Sequence, residues 1–295
     1  MVNQHIIGRV EALGATILLA FMYYTVQVSS HSAAQLAEIR SIINCGMLGL
    51  IALAKKYDFY VNKTSLNQCL VRGFWAMLSI AFNMQCNKLL SITVFSILSR
   101  LNTFGVIFLS VFYMGKDFTW KPVVLALVSF LGVTLVVCPS IYGLGSRDAK
   151  GIEFKGTPSE YLGLFTAFMF IATNSMGRVW SSKIANDVGI CQSVFYLNLC
   201  LGLLYSIVVG FDPIEWKSSE WANYLLIGVG NLIYQIIFVD SMKRESDPNV
   251  TAIIQSSLII FTMTIDYFLI GEHISVVNVI GASIVGVATT ISVLK

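Results

Sequence analysis

Ten apolar stretches run through nearly the whole chain, and each is long enough to cross most or all of a lipid bilayer. A helix of roughly 20 apolar residues matches the roughly 30 Å hydrocarbon thickness of a membrane, because a helix rises about 1.5 Å per residue. The predicted spans cover residues 11–29, 38–54, 70–86, 90–114, 120–139, 158–180, 191–211, 221–241, 250–270 and 274–294. The sequence therefore predicts an all-α polytopic membrane protein with ten transmembrane helices.

The composition argues against several other classes of protein. Of the 295 residues, 56% are hydrophobic and 12% are charged, and the mean hydropathy is +0.75. The net charge is only +3, and the lysines and arginines form no clustered basic stretch, so we expect no nucleic-acid partner. The six cysteines show no CxxC spacing, and the chain has no HExxH motif. We therefore expect no metal site, no cofactor and no enzymatic activity.

Lysine and arginine are distributed unequally between the two sets of predicted loops. With the N-terminus inside, the opposite side carries Arg40, Lys88, Arg147, Lys150, Lys155 and Lys217. The cytoplasmic segments then carry Arg9, Lys55, Lys56, Lys63, Arg72, Lys116, Lys121, Arg178, Lys183, Lys243, Arg244 and Lys295. Because cytoplasmic loops are enriched in these residues, we expect both termini in the cytoplasm. In this interpretation Arg178 and Lys183 mark topology and have no role in a site.

Two segments of the chain match each other in order, although few residues are identical. Each contains a lysine, a long apolar helix, a glycine with a charged pair, a short turn and a glycine-containing helix. The spacing from Lys88 to Gly115 differs by a single position from the spacing from Lys243 to Gly271. The helices involved, the fourth and the ninth, are five spans apart, so the two copies are inserted in opposite directions. The sequence predicts two inverted five-helix repeats, 1–140 and 158–295, joined by a loop at 141–157.

This repeated unit, on a ten-span chain of 295 residues, resembles the EamA-type drug/metabolite transporter superfamily, which includes nucleotide-sugar and triose-phosphate transporters. The segment LIGEHISVVNVIGASIVG is close to the usual pattern of that family, whereas the first half has Gly115-Lys116-Asp117 in place of Gly-Glu. The resemblance implies secondary transport of an organic metabolite by alternating access. It also implies a central cavity lined largely by the first, third, fourth, sixth, eighth and ninth helices.

Arg100 is the polar residue that constrains function most, because it lies near the middle of the fourth span. An arginine there costs about 2.5–3.5 kcal/mol on insertion scales and faces a protein interior or a wet cavity. Ser96, Arg100 and Thr103 share one helical face, and Gln255 and Asp266 lie on a similar polar stripe of the ninth span. Two hypotheses stay open. Arg100 anchors a carboxylate or phosphate of the substrate, or it forms a static salt bridge with Asp266.

Other intramembrane polar residues are weaker candidates for substrate binding. Asn231 and Gln235 share a face of the eighth span at i and i+4, and Asn83 lies on the third span. Such amides recognise carbonyl, hydroxyl or amide groups, but they also join helices at about 0.6 kcal/mol each. Glu38 and Arg40 are expected at a solvated start of the second span, with a gate as the alternative. Close helix contact is expected at Gly46, Gly105, Gly132, Gly228, Gly230, Gly281 and Gly286.

The function predicted from these features is a secondary transporter that moves a small organic metabolite across a membrane by alternating access. Arg100 favours an anionic group on that metabolite, unless Asp266 neutralises the arginine. The expected partners are a small-molecule substrate and the lipid bilayer, and the sequence indicates no oligomeric state. An ion channel would need a filter loop or a ring of charges, and the sequence shows neither. The alternative is a transport-inactive, transporter-like membrane subunit or scaffold. The altered turn at Gly115-Lys116-Asp117 keeps that alternative open.

Overall fold

The structure is a computed structural model that describes residues 4–31, 33–56, 60–89, 98–137, 158–185, 187–208, 217–245, 247–270 and 275–294. Within these ranges the regular structure is entirely helical. The helices are α1 Gln4–Val28, α2 Ala33–Lys55, α3 Lys63–Leu89, α4 Leu98–Met114, α5 Trp120–Val137, α6 Pro158–Ile184, α7 Ile190–Val208, α8 Ser218–Arg244, α9 248–270 and α10 Val276–Leu294.

Several of these helices are long and apolar enough to cross a bilayer. They are Gln4–Met22, Ser218–Arg244, Pro248–Leu269 and Val276–Leu294, and shorter apolar helices cover Leu98–Met114, Trp120–Val136 and Ile190–Leu203. Large apolar side chains such as Phe112 on α4 and Phe168 on α6 are exposed on the outside of the bundle. Such surface is stable against lipid, so the prediction of an all-α, multi-pass membrane protein is confirmed.

The helices pack in pairs that link the two halves of the chain. α3 packs against α6 and α7, and α1 packs against α8 and α9. α2 contacts α7 and α8, while α4 contacts α6 and α9. α5 packs along α10. Among the described residues, each helix of the first half therefore makes its main contacts with helices of the second half.

Glycines allow the closest of these contacts. A Cβ atom added at Gly281 of α10 would lie 2.6 Å from the carbonyl oxygen of Gly132 on α5. Gly105 and Gly228 leave equally little room against α6 and α2. The prediction of close helix contact is confirmed at these four glycines. It is wrong at Gly46, Gly230 and Gly286, where an added Cβ would meet open space or ordinary van der Waals contacts.

Two helices, α4 and α9, are interrupted partway along their length. In α4, Leu101 separates the turn at 98–100 from the regular helix Asn102–Met114. In α9, Ser256 and Ser257 follow the helix Pro248–Gln255 and donate backbone N–H bonds to carbonyl groups three positions back, at 2.9 and 3.0 Å. Bonds of this kind tighten the turn and change the direction of the side chains that flank it.

Ion pairs join the helix ends on the side where α1 begins and α8 ends. Arg9 Nε lies 2.6 Å from Glu245 Oε2, which is buried between α8 and α9. Lys116, just after α4, lies 3.1 Å from Asp247, whose side chain also accepts a hydrogen bond from the backbone N–H of Asn249 at the start of α9. These contacts hold the ends of α1, α4, α8 and α9 together.

Candidate functional site

A cavity of about 160 Å³ with both polar and apolar lining lies between α3, α6, α7, α8 and α9. Four of these helices, α3, α6, α8 and α9, are among the six that the family resemblance implies for a central cavity. α7 also lines the cavity although the resemblance does not imply it. α1 and α4, which the resemblance does imply, supply none of the described residues that line this cavity. The polar and aromatic lining consists of Arg72, Asn174, Arg178, Ser181, Tyr234, Gln235, Phe238 and Gln255.

Two arginines from different helices line the cavity. Arg72 on α3 is 5% exposed and donates hydrogen bonds to the hydroxyl and, at 3.5 Å, the backbone oxygen of Ser193 on α7. Arg178 on α6 is half-buried and donates to Oε1 of Gln255. Among the described residues of the lining there is no carboxylate. A guanidinium group can donate two parallel hydrogen bonds to a carboxylate or phosphate, so this lining is chemically able to bind an anionic group.

The prediction that both arginines lie in the segments between the helices is wrong, because α3 and α6 extend past Arg72 and Arg178 and both side chains line the cavity. The sequence does contain the signal that could have found them. Both positions fall inside predicted spans, 70–86 and 158–180, where an arginine is as costly as Arg100.

Gln255 is a predicted site residue that the structure places in the cavity. It is the last residue of the first piece of α9 and is 5% exposed. Its Oε1 accepts from Arg178, whereas its Nε2 is buried without a hydrogen-bond partner among the described residues. An unsatisfied buried donor costs about 1–3 kcal/mol, so an acceptor group bound in the cavity would relieve that cost.

Gln235, the second predicted site residue in the cavity, belongs to a buried cluster of four amides. Asn198 on α7 donates to Gln235 Oε1 at 2.6 Å, and Gln235 donates to Asn231 Oδ1 at 2.8 Å. Asn44 on α2 donates to Asn198 Oδ1 at 3.0 Å and to Asn231 Oδ1 at 2.9 Å. Asn231 therefore accepts a hydrogen bond from Gln235 but does not itself line the cavity. The cluster fixes the amide that faces the cavity.

We expect Asn198→Ala to destabilise the protein by about 1–2 kcal/mol. The substitution removes the donor to Gln235 Oε1 and an acceptor of Asn44, and both groups stay buried. Thermal unfolding of the purified protein in detergent measures the loss. Asn67→Ala, at an exposed position of α3, is the matched control and should leave the midpoint nearly unchanged. Equal midpoints for the two variants would contradict an energetic role for the cluster.

Two aromatic rings form an apolar wall of the cavity. Tyr234 and Phe238, one turn apart on α8, are stacked with their centroids 5.7 Å apart and their planes at 12°. A flat apolar surface beside two cationic groups suits a ligand with an anionic head and a carbon skeleton. The cavity thus combines charge, amide groups and apolar surface in a small volume.

The other predicted site residues do not line this cavity. Arg100 is half-buried beside the interruption of α4, and Thr103 is buried one turn further along. Asn83 is half-buried on α3. Ser96 lies outside the described residues, and so does the side chain of Asp266. The hypotheses of an Arg100 contact with an anion or with Asp266 stay predictions.

The ten helices of the described residues and their apolar exterior define an integral, multi-pass membrane protein, and a cavity lies inside it beside an interrupted helix. Residues 160–294 match the model of the EamA-like transporter family. The resemblance to the EamA-type superfamily is thus confirmed, because the second half of the chain matches the model of that family. The match points to a transporter and away from an enzyme.

Two curated relatives are named as probable transporters. The "Probable transporter vicT" of Bipolaris victoriae (strain FI3) is 19% identical over 201 residues, which cover 66% of this chain and 57% of the relative. The "Probable transport protein YPL264C" of Saccharomyces cerevisiae (strain ATCC 204508 / S288c) is 22% identical over 188 residues, covering 59% and 52%. The chain spans about half the length of the curated relatives it matches.

One solved crystal structure shares the fold over nearly the whole chain. It superposes with a TM-score of 0.77 at 17% identity, covering 99% of this chain and 98% of its own. At this level of identity the likeness concerns the fold alone.

Proposed function

We propose that this chain is a secondary transporter that carries a small organic anion through the cavity between α3, α6, α7, α8 and α9. The observation that carries the proposal is the pair Arg72 and Arg178 in a cavity whose described lining has no carboxylate. Each intramembrane arginine costs about 2.5–3.5 kcal/mol to insert, and intramembrane charges mark substrate or ion pathways. A substrate anion offsets that cost during transport.

The packing of the helices supports two inverted five-helix repeats. To test this, each helix is replaced by the helix five positions away in chain order, and the contacts are compared. The contact of α3 with α6 then corresponds to the contact of α8 with α1, and the contact of α4 with α6 corresponds to the contact of α9 with α1. Likewise, α3 with α7 becomes α8 with α2, while α2 with α7, α4 with α9 and α5 with α10 map onto themselves. All of these contacts are present. An arrangement that is preserved by this exchange is what two inverted copies would produce.

The interruptions of α4 and α9 fall at equivalent positions of the proposed repeats. Leu101 precedes Gly115 by the same number of positions as Ser257 precedes Gly271. Secondary transporters bind substrates beside discontinuous helices at the interface of their repeats. Gln255 flanks one interruption and lines the cavity, and Arg100 flanks the other. This symmetry supports alternating access, in which one half rocks against the other around the bound anion.

The proposed orientation, with both termini in the cytoplasm, does not depend on the two arginines. Removing Arg72 and Arg178 from the twelve lysines and arginines of the cytoplasmic segments leaves ten, against six on the opposite side. With both termini in the cytoplasm, the cavity lies nearer the cytoplasmic end of α3, α6 and α8. The ion pairs of Glu245 and Asp247 would then close that end.

Proteoliposomes that contain the full chain test the proposal. We expect uptake of at least one of three radiolabelled organic anions, namely succinate, glutamate and glucose 6-phosphate, and no uptake of the neutral control glucose or the cationic control lysine. The same anion should raise the thermal midpoint, because a ligand at 100 times its Kd stabilises by about 2.7 kcal/mol. Selective uptake of glucose or lysine would overturn the anion site. Binding of an anion without uptake would favour the scaffold alternative.

A further inference from the structure

The two helices that carry the cavity arginines, α3 and α6, run antiparallel. Near the end of α3 and the start of α6, Cys86 Sγ donates to the backbone oxygen of Gly163 at 3.4 Å. At the opposite ends of the two helices, Cys69 and Ile184 belong to one buried apolar cluster. Positions nearer the start of α3 therefore lie beside positions nearer the end of α6.

Arg72 and Arg178 enter the cavity at different heights. A Cβ atom added at Gly177 of α6 would lie 3.8 Å from the backbone nitrogen of Ala76 on α3, so these two positions are level with each other. Arg72 lies one turn before Ala76, a step of about 6 Å along the helix axis. Arg178 lies one position after Gly177, a step of about 1.5 Å in the same direction. The two arginines are therefore about 4–5 Å apart along the helix axes.

Each of the two guanidinium groups is held by a different helix. Arg72 donates to the hydroxyl and the backbone oxygen of Ser193 on α7. Arg178 donates to Oε1 of Gln255 on α9. Both partner residues are buried, so the two guanidinium groups are fixed separately. Since one guanidinium group can bind one carboxylate through two parallel hydrogen bonds, this arrangement suits an anion with a carboxylate at each end.

The charge of the cavity lining also matches a divalent anion. Arg72 and Arg178 supply two positive charges, and none of the described lining residues is a carboxylate. A monovalent anion would compensate one of these charges and leave the other unbalanced in a protein interior, where an uncompensated charge is costly. A dicarboxylate compensates both charges.

The size of the cavity limits the ligand to a short carbon chain. A volume of about 160 Å³ is equal to that of about five water molecules at roughly 30 Å³ each. The stacked rings of Tyr234 and Phe238 provide an apolar surface for methylene groups. A four-carbon dicarboxylate such as succinate meets both conditions, because it has two carboxylates joined by two methylene groups.

The lining disfavours an amino group beside the carboxylates. An ammonium group has three N–H donors and needs acceptor atoms. The amide oxygen of Gln255 already accepts from Arg178. The amide oxygen of Gln235 already accepts from Asn198 at 2.6 Å. An ammonium group would therefore meet two cations and amide oxygens that are already bonded, so an amino acid is a poor ligand.

We propose that the transported anion is a small dicarboxylate without an amino group, an inference that rests on the proposed transport function. One carboxylate binds Arg178 beside the amide of Gln255, and the other binds Arg72 beside the hydroxyl of Ser193. The methylene groups between them lie against the aromatic wall of the cavity. Both carboxylates then contribute to affinity, and an added ammonium group opposes it.

Thermal unfolding of the purified full chain at about pH 8, where carboxyl groups are ionised, tests the binding of succinate. Two probes differ from succinate by one group each, since butyrate lacks one carboxylate and aspartate adds an amino group. We expect succinate to raise the midpoint and both probes to bind at least about 10-fold more weakly, because one charged hydrogen bond or one repulsive charge has an effect of that size. A midpoint that succinate leaves unchanged would overturn the proposal, and so would aspartate or butyrate that binds as tightly as succinate.

Gln255→Glu tests the arrangement of two separate carboxylate sites. The new side chain has nearly the same shape, and its carboxylate would pair with Arg178 in place of a carboxylate of the ligand. We expect the affinity for succinate to fall about 10- to 100-fold and its advantage over butyrate to disappear. Asn67→Asp, which adds the same charge at an exposed position of α3, should leave both affinities unchanged. A Gln255→Glu protein that still prefers succinate to butyrate by the wild-type factor would refute the arrangement.

Uptake of the radiolabelled anions separates this inference from the proposed transport function. Among succinate, glutamate and glucose 6-phosphate, we expect succinate alone to be transported. Uptake of glutamate or glucose 6-phosphate at a rate equal to or above that of succinate would keep the transport function and overturn the dicarboxylate assignment. Binding of succinate without uptake of any of the three anions would reject transport and keep the cavity as a dicarboxylate site.

Discussion

Arg178→Ala should reduce anion uptake by about 10- to 100-fold while leaving the protein folded. The guanidinium group is half-buried and bonds to Gln255 Oε1, so its removal takes one charged donor from the cavity and releases the amide. A hydrogen bond to a charged group contributes about 1.5–3 kcal/mol, which corresponds to that range of affinity. Initial rates in proteoliposomes measure uptake, and size-exclusion profiles with thermal midpoints measure folding. Arg72 is a less suitable target, because its deeper burial makes misfolding of a truncated variant harder to separate from lost transport.

Lys183→Ala is the matched control for the arginine substitution. Lys183 lies on the same helix and carries the same charge, but it is exposed and its Nζ sits 5.0 Å from the centre of the Trp180 ring. Its loss should leave uptake nearly unchanged. Arg178→Lys keeps the charge but loses the planar fork and should fall between the wild type and the alanine variant. A well-folded Arg178→Ala with unchanged uptake would remove this residue from the substrate site.

The membrane architecture was predictable because the bilayer imposes it. Backbone groups in the hydrocarbon must be bonded within the helix, so long apolar runs specify helices almost regardless of their other neighbours. The ends of the helices were less predictable. α1 begins at Gln4 and α3 at Lys63, both about two turns earlier than the hydrophobic runs, since polar residues extend a helix beyond the hydrocarbon.

The errors at Arg72, Arg178 and Glu38 have a common physical cause. Counting charges in loops treats a charged residue near the end of a span as solvated, whereas helix packing decides whether that end is covered. Glu38 is covered because α7 and α8 pack against the second turn of α2. A hydropathy profile contains no information on which helices are neighbours.

The amide cluster and the interrupted helices depend on tertiary structure. Asn231 and Gln235 were grouped correctly, because spacing within one helix fixes a shared face. Their partners Asn44 and Asn198 come from α2 and α7, and only the packing of these helices brings them together. The interruption of α9 has a local contribution, since the Ser257 hydroxyl donates to the Ile254 carbonyl at 2.7 Å. Serine side chains that bond to the backbone in this way bend helices.

Gly281→Ala should destabilise the protein by about 1–3 kcal/mol or prevent its folding. The added Cβ would lie 2.6 Å from the carbonyl oxygen of Gly132 and 2.9 Å from the side chains of Leu135 and Val136 on α5. A backbone oxygen cannot rotate away as a side chain can, so α5 and α10 must separate along their whole contact. Yield after size-exclusion chromatography and the thermal midpoint in detergent measure the effect.

Gly286→Ala provides the control for this substitution on the same helix. Its added Cβ would find Ile260 Cδ1 at 3.7 Å, an ordinary contact, so no atom has to move. Alanine is also favoured over glycine inside a helix by about 1 kcal/mol, so this variant should be as stable as the wild type or more stable. The two variants add the same methyl group to α10 and are expected to shift the midpoint in opposite directions. A Gly281→Ala protein as stable as Gly286→Ala would show that α5 and α10 do not meet at Gly132.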